Sequence, residues 1–273
     1  MELLINEGIG TMTHKEKIFI CFAAEDRFNI AEPIVYHLKN YGINIWYDRY
    51  RLLMGDNRIE KNLVEGAGQC NYSIAVISKN TTASPCTLEE LSIIKERYYS
   101  KEVTVFPVLY EISPDSIPVE LKWVKEIIFK EADRSSGTRD ICNHIACKIS
   151  EDILSEYALK TIPLVLLNKL IPNEIKEILI SYQSIDSYNI NSRITLLYAT
   201  HIIFKNRLRN IDSYPRWYFK SFERLFTETK LNIAIDYRDL WLLENIICLL
   251  ANCYIEHSTE SSISRTIADK EST

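Results

Sequence analysis

The sequence predicts an α/β unit built on a parallel sheet, followed by an all-helical unit. Two observations carry that expectation. Between residues 17 and 158, short apolar runs of strand type alternate with longer segments of helical apolar period, the pattern of a parallel sheet covered on both faces. After about residue 158 the strand rhythm stops and only helical periodicity remains.

The elements follow in order. Residues 1–15 read as a flexible extension, and the first unit spans 16–157. "KIFICFA" (17–23) is the first strand, and "RFNIAEPIVYHLKNYG" (27–42) is a helix with Pro33 in its first turn, ending at Gly42. "INIWYD" (43–48) is the second strand, and "DNRIEKNLVEGAGQ" (56–69) the next helix. "YSIAVIS" (72–78), a helix over 86–99, "EVTVFPVLY" (102–110) and a fifth strand in "KEIIFK" (125–130) complete the sheet, before a helix over 138–158. Four helical segments fill 158–257, and the polar end, 258–273, reads as a disordered tail. Ligands in such sheets bind beyond the carboxyl ends of the strands, so the loops after 23, 48, 78 and 110 are the ones to watch.

Composition narrows the function. With 47% apolar and 25% charged residues the chain of 273 is ordinary globular protein, and its net charge of −5 provides no global field for nucleic acid or anionic membrane. Seven cysteines form an odd set without a CxxC pair, so neither a metal site nor a disulfide framework is expected. Buried thiols suit a reducing cytoplasm. The start, "MELLINEGIG", lacks signal-peptide regions, and the apolar "DLWLLENIICLLANCYI" is interrupted by Glu244 and Asn245, so no membrane association is expected.

The adjacent Glu89 and Glu90 raise the question of chemistry. At about 100° per residue, Leu91, Ile94 and Tyr98 share the face that packs on the sheet. Glu89 then projects into water, while Glu90 lies about 40° from Ile94, on the shoulder of the buried face. A half-buried carboxylate overhanging the strand ends is either a functional group or a cap or lysine partner. Other signatures are missing. "GIG" at 8–10 precedes any strand, and there is no GxxxxGK[ST] loop, HExxH or GxSxG. A receiver domain needs an aspartate closing the third strand, where this chain has Ser78 and Lys79.

The series "KIFICFAAED", "GINIWYD", "LLMGDNRI", "YSIAVIS" and "SPCTLEEL", in this order, resembles the Toll/interleukin-1 receptor (TIR) domain family over roughly residues 15 to 155. The resemblance implies a flavodoxin-like five-stranded parallel sheet. It also implies cleavage of NAD+ at the nicotinamide–ribose bond, as in the bacterial NAD-consuming members. In the family motif a serine is followed two residues on by tryptophan and four further by glutamate. The match here is Ser84, Cys86 in place of the tryptophan, and Glu90, which makes Glu90 the implied catalytic carboxylate. Phe22, Ala23 and Ala24 at the end of the first strand, with Trp46 and Asp48 on the second, are the implied substrate-binding residues. Trp46 either stacks on substrate or packs against a helix. The stretch 48–57, with Leu52, Leu53, Gly55 and Asp56, matches the family's mobile loop.

NAD+ is thus the expected substrate, with no separate cofactor, and the implied activity is that of an NAD+ nucleosidase or ADP-ribosyl cyclase. The product would be ADP-ribose or a cyclic ADP-ribose-type signal. The two-unit design resembles antiphage effectors, including the Thoeris type. The implied partners are further copies through the TIR domain, a phage-derived trigger and an effector reading the nucleotide. The rival expectation is a non-catalytic TIR–TIR scaffold. A third reading comes from Lys205, Arg207, Arg209, Arg216 and Lys220 interleaved with Trp217, Tyr218 and Phe222, which either bind single-stranded nucleic acid or form a helix pair with solvated charges.

Overall fold

The structure, a computed structural model, describes residues 18–208, 216–231 and 237–271. The extension expected over 1–15 lies outside them. The chain divides into two compact units, with the boundary at Ile145/Ala146.

The first unit is a five-stranded, all-parallel sheet in the order β2-β1-β3-β4-β5. Its strands are β1 (Ile18–Cys21), β2 (Ile45–Trp46), β3 (Tyr72–Ile77), β4 (Thr104–Tyr110) and β5 (Lys130–Ala132). Every residue of β1 and β3 is buried, as a central parallel strand covered on both faces requires. This is the flavodoxin-like order, and its topological switch point lies between β1 and β3.

Helices cover the sheet. A π-wound turn, Arg27–Ala31, leads into α1 (Glu32–Asn40), with Pro33 in the first turn and Gly42 at φ 76° beyond its end. A short α2 (Asp48–Arg51) follows β2, and a π-wound segment, Ile59–Ala67, leads to β3. Then come α3 (Pro85–Tyr99) before β4, and α4 (Arg139–Ser155) after β5. The core between sheet and helices includes Phe19, Trp46, Ala67, Ile77, Leu91, Ile94 and Val105.

Two boundaries differ from expectation. The fifth strand starts at Lys130 rather than 125, because Val119–Glu126 wind into 3-10 turns that bury Leu121, Trp123 and Val124. The true strand is three residues at the sheet edge and carries Lys130 and Glu131, the charged composition of a protected edge, so it lacks an apolar signature. The unit boundary falls inside α4 rather than at 157/158, since that helix runs unbroken past residue 145.

The second unit is helical: α5 (Ile162–Leu167), α6 (Asn173–Ser184), α7 (Ile190–Leu208), α8 (Arg216–Leu231) and α9 (Tyr237–Glu271). α7 packs against α6, α8 and α9, around Leu179, Tyr182, Leu197, Phe204, Phe222, Phe226, Ile246 and Leu250. The disordered tail expected from 258 is, through Glu271, the continuation of α9. No glycine or proline interrupts residues 237–271, so nothing stops the helix. No helix among the described residues is long and apolar enough to cross a membrane.

Candidate functional site

The site grows from the start of α3. Ser84 caps the helix by accepting from the Thr87 N–H at 3.4 Å, and Pro85 occupies the first turn, where a missing N–H costs nothing. Thr87 Oγ1 lies 3.1 Å from the Phe22 carbonyl oxygen and 2.7 Å from Ser84 Oγ, which ties this helix end to the end of β1. Phasing from there buries Thr87, Leu91 and Ile94, exposes Glu89 and leaves Glu90 7% exposed.

The two glutamates therefore live in different media. Glu89 is paired with Arg58 at 2.7 Å in solvent. Glu90 accepts a hydrogen bond from Asn62 Nδ2, on the π-wound segment, and has the Cys21 thiol of β1 close by. Burial dominates its titration and raises its pKa from the usual carboxylate range to about 7. The neighbouring Cys21 thiol and the Asn62 amide pull the other way, the negative Asp48 pushes the value up, and Arg58 lowers it. Cys21 is itself held well above the usual thiol range, first by burial and then by the neighbouring Glu90 charge, so it stays a protonated donor.

Around this carboxylate lie the carboxyl ends of β1 and β2. Asp48 forms a two-pronged ion pair with Arg27, at 2.8 and 2.7 Å. The Arg27 guanidinium stacks over the rings of Phe22 (5.0 Å) and Tyr47 (5.6 Å) and hydrogen-bonds the Tyr47 hydroxyl. Phe22 and Ala23 are buried and Ala24 is exposed in a 3-10 turn.

Trp46 stands elsewhere. It is packed in the core against Phe19, with ring centroids 5.3 Å apart, and beside Gly66. That is the helix-packing arrangement. Asp48 is not on the second strand either, because β2 ends at Trp46 and Asp48 opens α2. In the 48–57 loop Leu52 packs on the core, Leu53 and Met54 are exposed, and Gly55 has φ 102°. Asp56 Oδ2 accepts from the Leu53 N–H at 2.8 Å, which closes the loop tip.

Sequence reasoning missed Asn62 and Cys21 as partners of Glu90, because each comes from a segment distant in the chain. It also left Asp26 without a role. That side chain is 1% exposed and accepts from Ser78 Oγ (2.5 Å) and Asn80 Nδ2 (2.7 Å), across the β1/β3 switch point. An acid after the first strand and a serine closing the third were the available signal. Among the described residues no cluster of histidine, cysteine, aspartate and glutamate could hold a metal ion. Two concavities lie away from Glu90. One, of about 440 Å³, sits at the amino ends of β3 and β4, and the other, of about 460 Å³, lies between Tyr182, Arg193, Trp241 and Glu244 in the helical unit.

The basic and aromatic segment is described only in part. Arg209 and the side chains of Arg216, Trp217 and Tyr218 lie outside the described residues. Of the rest, Lys205 pairs with Glu223, Arg207 pairs with Glu174, and Phe222 is fully buried, the arrangement of packed helices with solvated charges.

Comparison with known proteins adds the family. The chain is 28% identical over 116 residues to the 2′ cyclic ADP-D-ribose synthase BtTIR of Bacteroides thetaiotaomicron, covering 42% of this chain and 40% of that one. It is 31% identical over 106 residues to the NAD(+) hydrolase TcpC of Escherichia coli, covering 38% of this chain and 34% of that one. A third relative, the 2′ cyclic ADP-D-ribose synthase AbTIR of Acinetobacter baumannii, is 25% identical over 112 residues, 41% of each chain. The chain thus spans about two fifths or less of the length of these relatives. The family model described as TIR domain matches residues 18–140. With the five parallel strands in flavodoxin-like order, these findings make the first unit of this chain a member of the TIR domain family.

Proposed function

We propose that the protein is an NAD+-cleaving enzyme of the cytoplasm, with Glu90 as its catalytic carboxylate and NAD+ as substrate rather than cofactor. The observation that carries the reading is Glu90 itself: a buried carboxylate at the carboxyl edge of the parallel sheet, with its pKa raised to about 7. The activities for which the relatives are named, NAD+ hydrolysis and cyclic ADP-ribose synthesis, support the same substrate.

The chemistry suits one carboxylate. Nicotinamide leaves a cationic bond as a neutral molecule, so no acid is needed to protonate it. Positive charge builds on the ribose as in other oxocarbenium-like glycosidic cleavages. An ionised Glu90 beside the ribose stabilises that charge in a site where water competes little. Water reaching the ribose carbon gives ADP-ribose; the adenosine part of the same molecule reaching it gives a cyclic signal. Such a product, read by a downstream effector after a phage-derived trigger, is the antiphage role that goes with this activity.

The test is NAD+ turnover at high protein concentration, with products identified by mass spectrometry, for wild type and Glu90→Gln. Loss of about 100- to 1,000-fold in the variant is expected, the scale of removing one transition-state electrostatic contact. Equal turnover in both would sink the proposal. One observation favours a second, non-exclusive role in assembly of copies through this domain: Leu53 and Met54 project into solvent from the 48–57 loop, 79% and 105% exposed. If Glu90→Gln keeps biological function while Leu53→Ser with Met54→Ser loses it, the scaffold reading replaces the enzymatic one.

A further inference from the structure

We propose that Asn62 is a positioning residue for Glu90, its side-chain amide setting both the orientation of the carboxyl group and the pH range over which it is charged. The inference rests on the reading of Glu90 as the working carboxylate, but its core is geometric. Asn62 is 7% exposed, sits in the middle of the π-wound segment Ile59–Ala67, and directs Nδ2 onto Glu90 Oε1. Its other amide atom, Oδ1, is buried with no hydrogen-bond partner among the described residues. A buried acceptor without a donor is costly, so the position is occupied for a reason other than self-satisfaction.

An amide suits a partner that changes its protonation state. Facing an ionised Glu90, Nδ2 donates. Facing the protonated acid, a half-turn of the amide presents Oδ1 as acceptor for the carboxyl proton. A leucine at 62 can do neither, and an aspartate can only repel the charge or share the proton.

The other groups facing Glu90 cannot take over this task. Cys21, from β1, is a weak thiol donor whose S–H is directed at the Thr87 carbonyl oxygen, 3.7 Å away. Asp48, from α2, carries the same sign as Glu90 and is committed to Arg27. Arg58 is engaged by Glu89 in solvent. Asn62 is therefore the strong neutral donor of the set, and it fixes which lone pairs of Glu90 remain for a ribose.

The experiment uses the full chain with glutamate carboxyl groups labelled with carbon-13. Glu90→Gln assigns the Glu90 resonance, which is then titrated in wild type, Asn62→Leu and Asn62→Asp, alongside the pH dependence of kcat/KM for NAD+. Both variants should move the Glu90 titration to higher pH, Asn62→Asp the more, and the turnover limb should move with it. A shift of one unit leaves about a fivefold loss of turnover at pH 7 that is recovered near pH 9. A merely structural role would lower turnover equally at all pH values. A Glu90 resonance that titrates alike in wild type and both folded variants overturns the inference, whatever the turnover. If the resonance shifts but the wild type consumes no NAD+, the role of Asn62 stands and the NAD+ reading falls.

Discussion

A single side chain, Glu90, couples the chemistry to stability. Its folded-state pKa of about 7 lies above the usual 4.5, so between those values the folded state holds a proton that the unfolded state has released. Stability from this group is complete below about pH 4.5 and is lost as pH rises through 7. At about 1.4 kcal/mol per unit the cost above pH 7 is on the order of 3 kcal/mol. Glu90→Gln carries no charge to bury. Its advantage over wild type in urea unfolding should be near zero at pH 4.5 and grow to a few kcal/mol by pH 8. A gap of equal size at pH 4.5 and pH 8 would mean that Glu90 is not the proton-holding group. The same sign governs turnover, because the ionised form is the one that stabilises a cationic ribose, so kcat/KM should rise with pH and level above about 7–8. The position of Glu90 was legible in the sequence, because helical phasing from Leu91 and Ile94 alone separates it from Glu89. Its environment was not, because Asn62 and Cys21 reach it only through tertiary packing.

The elements around the site are held by close approach of the π-wound segment to the sheet. Gly66 makes that approach possible: a Cβ there would lie 2.7 Å from Phe19 Cε2, 3.0 Å from Cδ2 and 3.5 Å from Trp46 Cδ2. Phe19 is a core ring 1% exposed, so it has little room to move. Gly66→Ala gains about 1 kcal/mol of backbone preference in a helix, whereas overpacking costs roughly 1–3 kcal/mol. The clash should win, with a net loss of up to about 2 kcal/mol. Because Asn62 precedes Gly66 on the same segment, the Asn62–Glu90 bond should loosen with it. Thermal melts of Gly66→Ala, Phe19→Leu and the double variant test this, with the double variant less destabilised than the sum of the singles. A Gly66→Ala protein as stable as wild type would show that the ring gives way. At this scale the central strands β1 and β3 were readable as continuous apolar runs. The edges were less so: the second strand was read at 43–48 but pairs over only Ile45–Trp46, and β5 is charged, as suits an edge strand with solvent on one side.

Across the whole molecule the sequence separated sheet from helices by period, but it placed the boundary where the pattern changes. The boundary falls within the residue range of α4, where the apolar period does not change. Each unit contains a buried titratable group, and the two act in opposite directions. In the helical unit His201 is fully buried on α7, with its ring against Tyr198 and Phe226 and neither ring nitrogen hydrogen-bonded among the described residues. Burial, and then the charge of Lys205, lowers its pKa from 6.5 to about 3. Between those values the unfolded chain binds a proton that the folded unit refuses. Stability from His201 is therefore complete above about pH 6.5 and is lost on acidification, by about 2 kcal/mol at pH 5. Glu90 does the reverse in the sheet unit over nearly the same range. Acidification from pH 8 to pH 5 should thus weaken the helical unit relative to the sheet unit. In calorimetry a transition belonging to the helical unit should move down, and one belonging to the sheet unit up, as pH falls. His201→Leu, which removes the charge while roughly keeping the volume, should hold the helical transition steady, and Glu90→Gln should move only the other one. Transitions that shift together with pH and respond to neither substitution would show that these two buried groups do not set the acid response of the protein.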